Sequence, residues 1–185
     1  MPLEEVDIDD AITGSYGMNE AEVLCIQYKG PQLQQNASKA MIEGDAEGEL
    51  RYLQEAIELY RPSQCGDKVW LSPFHSQLYT IRGSYLSALL ANGKIIEAVH
   101  ECEHMVSFLA VAFHNVKSHP LLGLQLYTLG DLYSGAVAML DESATEEMES
   151  IMRKKAMLAY SWAKSVMEVS HGKTDPMVLA LNDNI

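Results

Sequence analysis

The sequence predicts an all-α fold, a stack of antiparallel helical hairpins. Three observations carry that expectation. Apolar residues recur at three- and four-residue spacing from Pro31 onward. Pairs that favour turns, Gly44-Asp45 and Asn92-Gly93, interrupt those runs where a hairpin would reverse. Small residues at Gly130, Ala156 and Ala163 alternate with Leu126, Leu129, Tyr133 and Tyr160, which lets two helix backbones approach closely while the larger side chains fill the flanking holes.

Residues 1–29 carry many acids and no clear apolar period, so an acidic tail or the stub of an upstream domain is expected there. Glu4-Glu5-Val6-Asp7 matches the tail by which some chaperones dock on helical repeats. That recognition needs a free C-terminal carboxylate, so the match is read as coincidence. The helical domain is expected over residues 30–185. Its first helix places Leu33, Ala37 and Ala40 on one face. The partner helix carries Glu49, Leu53 and Ala56, widened by Ile57 and Tyr60, and Arg61-Pro62 stops it.

Ser63 to Leu71 reads as a loop with Trp70 anchored in the core. Ser72-Pro73 suits a helix start, because serine accepts from orphan N–H groups and proline fits the first turn. That helix runs to Ala91 with Arg82, Tyr85, Leu86 and Leu89 at its packing positions. The next spans Lys94 to about Phe113, with Ala98, Cys102 and Met105 inward. His119-Pro120 opens the third hairpin, whose second helix carries Ala156, Tyr160 and Ala163. A short helix near Pro176 to Leu181 closes the chain.

These positions match a tetratricopeptide-type pattern with longer repeats. Ala56 to Met105 is 49 residues and Met105 to Ala163 is 58, against a repeat of about 34. The excess in the third hairpin fits an insertion near Leu140 to Ser150. There Asp141, Glu142, Glu146 and Glu147 form an acidic loop running into a helix N-terminus, where the dipole favours negative charge.

The chain has 185 residues, 48% hydrophobic and 21% charged, enough for one domain with a sizeable core. Its net charge of −13 disfavours nucleic acid and anionic membrane surfaces and suits a basic partner segment. No apolar run approaches the roughly 20 residues of a membrane span. The acidic start Met-Pro-Leu-Glu-Glu-Val-Asp has none of the features of a signal peptide. Cys25, Cys65 and Cys102 are odd in number and widely spaced, so reduced thiols in the cytoplasm or nucleus are expected.

His100-Glu101-Cys102-Glu103-His104 matches the His-Glu-x-x-His pattern of zinc proteases, with two ligands one helical turn apart and Glu101 as base. The packing pattern already assigns Ala98, Cys102 and Met105 to the core, which leaves His100 and His104 on its flank. His75 and His119 are expected to cap helices or lie at the surface, and His171 to sit at a helix terminus. No nucleophile motif or phosphate loop is present. Methionines such as Met139, Met148, Met152, Met157 and Met167 are expected as core filler. No catalytic, cofactor-binding or metal residue is therefore expected in this chain.

In a curved stack, the first helices line the concave side. The groove residues would be Gln34, Ser38 and Met41, then Thr80, Gly83, Ser87 and Leu90, then Leu124, Tyr127, Asp131 and Ser134. The set contains no Lys or Arg to clamp a carboxylate. A peptide read by shape, apolar contact and a few hydrogen bonds fits it better.

Three runs, Leu71-Ser-Pro-Phe-His-Ser-Gln-Leu-Tyr, Ala91-Asn-Gly-Lys-Ile-Ile-Glu-Ala and His119-Pro-Leu-Leu-Gly-Leu-Gln-Leu-Tyr-Thr-Leu-Gly-Asp-Leu-Tyr, resemble the C-terminal helical region of SET and MYND domain-containing lysine methyltransferases. The ending Val169-Ser-His-Gly-Lys-Thr-Asp-Pro is similar to that family's closing His-Gly-x-x-His-Pro, with Asp175 where a histidine is usual. The resemblance covers roughly residues 30–185. It implies a tetratricopeptide-like module that packs against a catalytic domain and contacts partner proteins. S-adenosylmethionine and structural zinc belong to the family's catalytic part, whose motifs this sequence does not contain. The leading expectation is a non-catalytic interaction or regulatory module for a protein partner, with one bearing a basic, lysine-rich segment as a candidate. The alternatives are the C-terminal fragment of an active lysine methyltransferase and, last, a zinc hydrolase.

Overall fold

Every regular element among the described residues of the structure, a computed structural model, is an α-helix. Residues 20–59, 76–116, 118–140 and 145–183 are described. They form α1 (Glu20–Glu43), α2 (Ala46–Glu58), α3 (Ser76–Ala91), α4 (Ile95–Ala112), α5 (Pro120–Ala138), α6 (Glu146–Ser170) and α7 (Pro176–Asp183). The all-α expectation holds. The chain divides into two compact units with the boundary after Ala88, and α3 runs across that point.

In the first unit, α1 and α2 pack against each other. Gly44 has a φ of 74°, a left-handed conformation that costs glycine little and reverses the chain within two residues. Asp45 then caps α2, its Oδ1 accepting from Gly48 N–H at 2.9 Å. Leu33, Ala37 and Ala40 on α1 are buried, as are Leu50, Leu53, Ala56 and Ile57 on α2.

One boundary differs from expectation. α1 begins at Glu20, so Pro31 lies inside it rather than at its start. Proline removes a single backbone donor, a local cost of about 3 kcal/mol. Helix formers on both sides, including Ala21, Glu22, Leu24, Gln27, Gln32 and Leu33, carry the helix through. The expectations for Glu4 to Asp7, Tyr60 to His75, and Asp141 and Glu142 fall outside the described residues.

In the second unit α4 packs on α5, α5 on α6, and α6 on α7. Gly93, with φ 68°, ends α3 as the Asn92-Gly93 pair predicts. Ala98, Cys102 and Met105 are buried on α4. His119 caps α5: its Nδ1 accepts from Leu121 N–H at 3.2 Å. The same ring stacks on Phe113 at 3.6 Å between centroids, which ties the end of α4 to the start of α5.

The α5–α6 pair rests on two glycines. A Cβ at Gly130 would lie 2.5 Å from Cε1 of Tyr160, and one at Gly123 would lie 2.6 Å from Cγ of Met167. α6 starts at Glu146, where the Thr145 hydroxyl accepts from Met148 N–H at 3.2 Å. Glu146, Glu147 and Glu149 occupy its first turn, so the later part of the expected acidic insertion is helix. Asp175 Oδ1 accepts from Met177 N–H at 2.9 Å and starts α7, which buries Val178 and Leu181.

The methionines correct the sequence expectation. Met167 is fully buried, but Met139, Met148 and Met157 are exposed and Met152 is half-buried. The buried face of α6 is occupied by Ala156, Ala159, Tyr160, Ala163, Val166 and Met167, which leaves Met148, Met152 and Met157 on its open faces, while Met139 caps the C-terminus of α5. Among the described residues, no helix is long and apolar enough to cross a membrane.

Candidate functional site

Two side-chain clusters flank α5. The first lies on its open face. Leu124, Tyr127, Asp131 and Ser134 follow one another at spacings of three, four and three residues, which keeps them in one stripe. Tyr160 reaches this stripe from α6 although the residue is only 5% exposed. Its hydroxyl donates to Asp131 Oδ1 at 2.8 Å. A phenol has a single proton to give, so in the 3.3 Å contact between Ser134 Oγ and Tyr160 the serine is the donor. Tyr127 sets its ring edge-on to Tyr160, 5.9 Å between centroids.

The electrostatics agree with that geometry. Burial above all, and then the Asp131 carboxylate, push the Tyr160 hydroxyl up to about 12 against the opposing effect of Ser134. The phenol therefore stays protonated and keeps donating. Asp131 is exposed, and among the described residues it has no ion pair and no partner at Oδ2. The cluster is an ordered carboxylate beside an aromatic ring, with one oxygen committed and one open.

The other expected groove residues also lie on open or half-open helix faces. Gln34 is half-exposed on α1, with Ser38 and Met41 exposed beyond it. Thr80 and Ser87 are exposed on α3, and Leu90 is 37% exposed. The hydroxyls of Ser38, Thr80 and Ser87 donate back to the carbonyls of Gln34, Ser76 and Gly83 at 3.0, 3.2 and 3.0 Å. Only the α5 set, among the described groove residues, gathers around a partner from another helix.

The second cluster joins α4, α5 and α6, and sequence reasoning missed it. Glu103 Oε1 accepts from the Tyr133 hydroxyl in a short bond and from Lys155 Nζ at 3.2 Å. His100 Nδ1 lies 3.3 Å from Oε2. Lys155 also sits 5.2 Å from the centroid of the Tyr133 ring. Burial works to raise the Glu103 carboxyl, but the bonds from Tyr133, Lys155 and His100 outweigh it and hold the group below the ordinary range. Burial, followed by the bond to Glu103, raises the Tyr133 hydroxyl.

These residues line one side of a cleft of about 190 Å³ whose other walls are Ile96, Val99, Met148, Ile151 and Met152. In sequence Tyr133 carries only the signal of a packing residue. Glu103 and Lys155 are far apart in sequence, and no local spacing marks them as a pair.

The His-Glu-x-x-His segment is a packed part of α4. Its two histidines are exposed while Glu101 is buried, and Cys102 is fully buried between them. Gln125 Nε2 donates to Cys102 Sγ at 3.1 Å. Burial, aided by the charges of Glu101 and Glu103 and opposed by Gln125, pushes the thiol up to about 11. A thiol in that state is no nucleophile at neutral pH. Among the described residues, no three or more His, Cys, Asp or Glu side chains converge as a metal site.

No known family model matches this chain, and no curated protein matches it.

Proposed function

We propose that this chain is a non-catalytic protein-interaction module, a tetratricopeptide-like hairpin stack related to the C-terminal region of SET and MYND lysine methyltransferases. Its partner is a lysine-rich protein segment that lies on the open face of α5. The observation that carries this reading is the exposed Asp131 carboxylate, one helical turn from Tyr127 and held by the hydroxyl of the buried Tyr160. A net charge of −13 supports it, because it attracts a basic segment from a distance and speeds encounter. Leu124 offers apolar contact on the same stripe. In this reading the setting is the cytoplasm or nucleus.

The test is an amide-resonance titration of the full chain with a lysine-rich peptide and a glutamate-rich peptide of equal length. Shifts confined to α5 and the neighbouring turns of α6, produced by the basic peptide alone, are the expected result. Equal responses to both peptides, or none at all, would overturn the proposal.

A second reading is favoured by Tyr28, Met41 and Ile42, which are 74, 59 and 81% exposed on α1. Apolar area of that kind suits an interface with another domain. The chain would then be the C-terminal part of a lysine methyltransferase whose catalytic domain holds S-adenosylmethionine and zinc. Immunoblotting of the native source with an antibody against residues 119–133 separates the two. A species near 20.5 kDa favours the stand-alone module, and one more than twice that size favours the enzyme.

A further inference from the structure

We infer that Asp131 is a seat for a lysine side chain in preference to arginine. The inference rests on the interaction reading above and deepens it. Three observations lead to it. Tyr160 donates to Asp131 Oδ1 at 2.8 Å, and burial keeps that phenol protonated. Ser134 donates to Tyr160 in turn, so a relay from serine to tyrosine to carboxylate orients the acid. Asp131 is exposed without an ion pair among the described residues, so its charge awaits a cation from outside the fold.

The discrimination follows from the chemistry of the two cations. Guanidinium binds carboxylate best through two parallel N–H bonds, one to each oxygen. Tyr160 already takes one acceptor position on Oδ1, so a fork would have to share that oxygen with the phenol. An ammonium is a compact point charge and needs only the open oxygen. Tyr127, half-exposed and edge-on to Tyr160, lies one helical turn from Asp131, where an ammonium or its methylene stem can gain further contact.

The experiment uses the full chain and three capped peptides of repeating Ala-Lys, Ala-Arg and Ala-Gln. Binding is followed by amide-resonance titration, which reports folding in the same spectra. The Ala-Lys peptide is expected to bind about tenfold more tightly than Ala-Arg, a difference of one good contact. Ala-Gln is expected to leave α5 unperturbed. Asp131→Asn should bring Ala-Lys down to the Ala-Gln level.

Tyr160→Phe keeps the ring and frees Oδ1, so it should narrow the gap between Lys and Arg. An Ala-Arg affinity equal to or above Ala-Lys in the unsubstituted chain would overturn the lysine seat and leave the interaction reading standing. So would a lysine preference that survives Asp131→Asn. A gap unchanged by Tyr160→Phe would remove the Oδ1 argument. If no peptide perturbs α5, both readings fall.

Discussion

Gly130 is the residue on which the α5–α6 contact depends most directly. Any Cβ there meets the Tyr160 ring, and that ring also holds Asp131 in place. Gly130→Leu should destabilise the fold by about 1–3 kcal/mol through overpacking. It should also displace Tyr160 and weaken peptide binding. An unchanged melting temperature would contradict the close approach.

Cys102 makes a second prediction at this scale. With the thiol pushed up to about 11 and fully buried, it should resist alkylation at pH 8 in a Cys25→Ser/Cys65→Ser background until the chain unfolds. Fast labelling of the native protein would count against that environment. Glu103 gives a pH dependence. Its carboxyl lies below the ordinary value of 4.5, so the stability it contributes is present above that value and is lost as pH falls through the lowered one. Glu103→Gln should therefore lower stability at neutral pH and flatten its fall below about pH 4.5. A parallel acid limb in the variant would show that the group is not coupled to folding.

Helices are where sequence and structure agree best. Residues 92–94 and His119 set the end of α3 and the starts of α4 and α5 within about one residue of expectation, because positive φ and capping are local properties. Pro31 is the instructive exception: a helix breaker was outweighed by the helix-forming residues on both sides. The start of α6 depends on Thr145, whose hydroxyl serves an N–H that would otherwise be unpaired. Thr145→Ala should cost about 1 kcal/mol by chemical denaturation. No measurable loss would mean that the acidic first turn anchors the helix without the cap.

Across the whole chain, charge and the open face of α6 stand out. Leu158, Trp162 and Val169 are 70, 47 and 71% exposed, and with Ile151 they lie in a stripe beside the packed one. Because folding leaves this stripe open, Trp162→Gln should shift stability by no more than about 0.5 kcal/mol. A larger loss in thermal unfolding would show that the face is covered in solution. The excess of acids predicts that binding of a basic peptide weakens as salt rises, since exposed charges are screened over about 10 Å at 0.1 M ionic strength.

The sequence alone determined the all-α class, most helix bounds, the inward positions of α1, α4, α5 and α6, and the stripe from Leu124 to Ser134. Each of these is written in a spacing of three or four residues, or in a single turn or cap, so neighbours along the chain suffice to reveal it. Only the tertiary structure decided that Tyr160 orders Asp131, that Glu103 joins Tyr133 and Lys155, and that most of the noted methionines face outward. Those contacts join residues 29 to 52 positions apart on different helices, or depend on which face a neighbouring helix covers. Periodicity marks a residue's face on its own helix, but the helix that packs against that face chooses its partners.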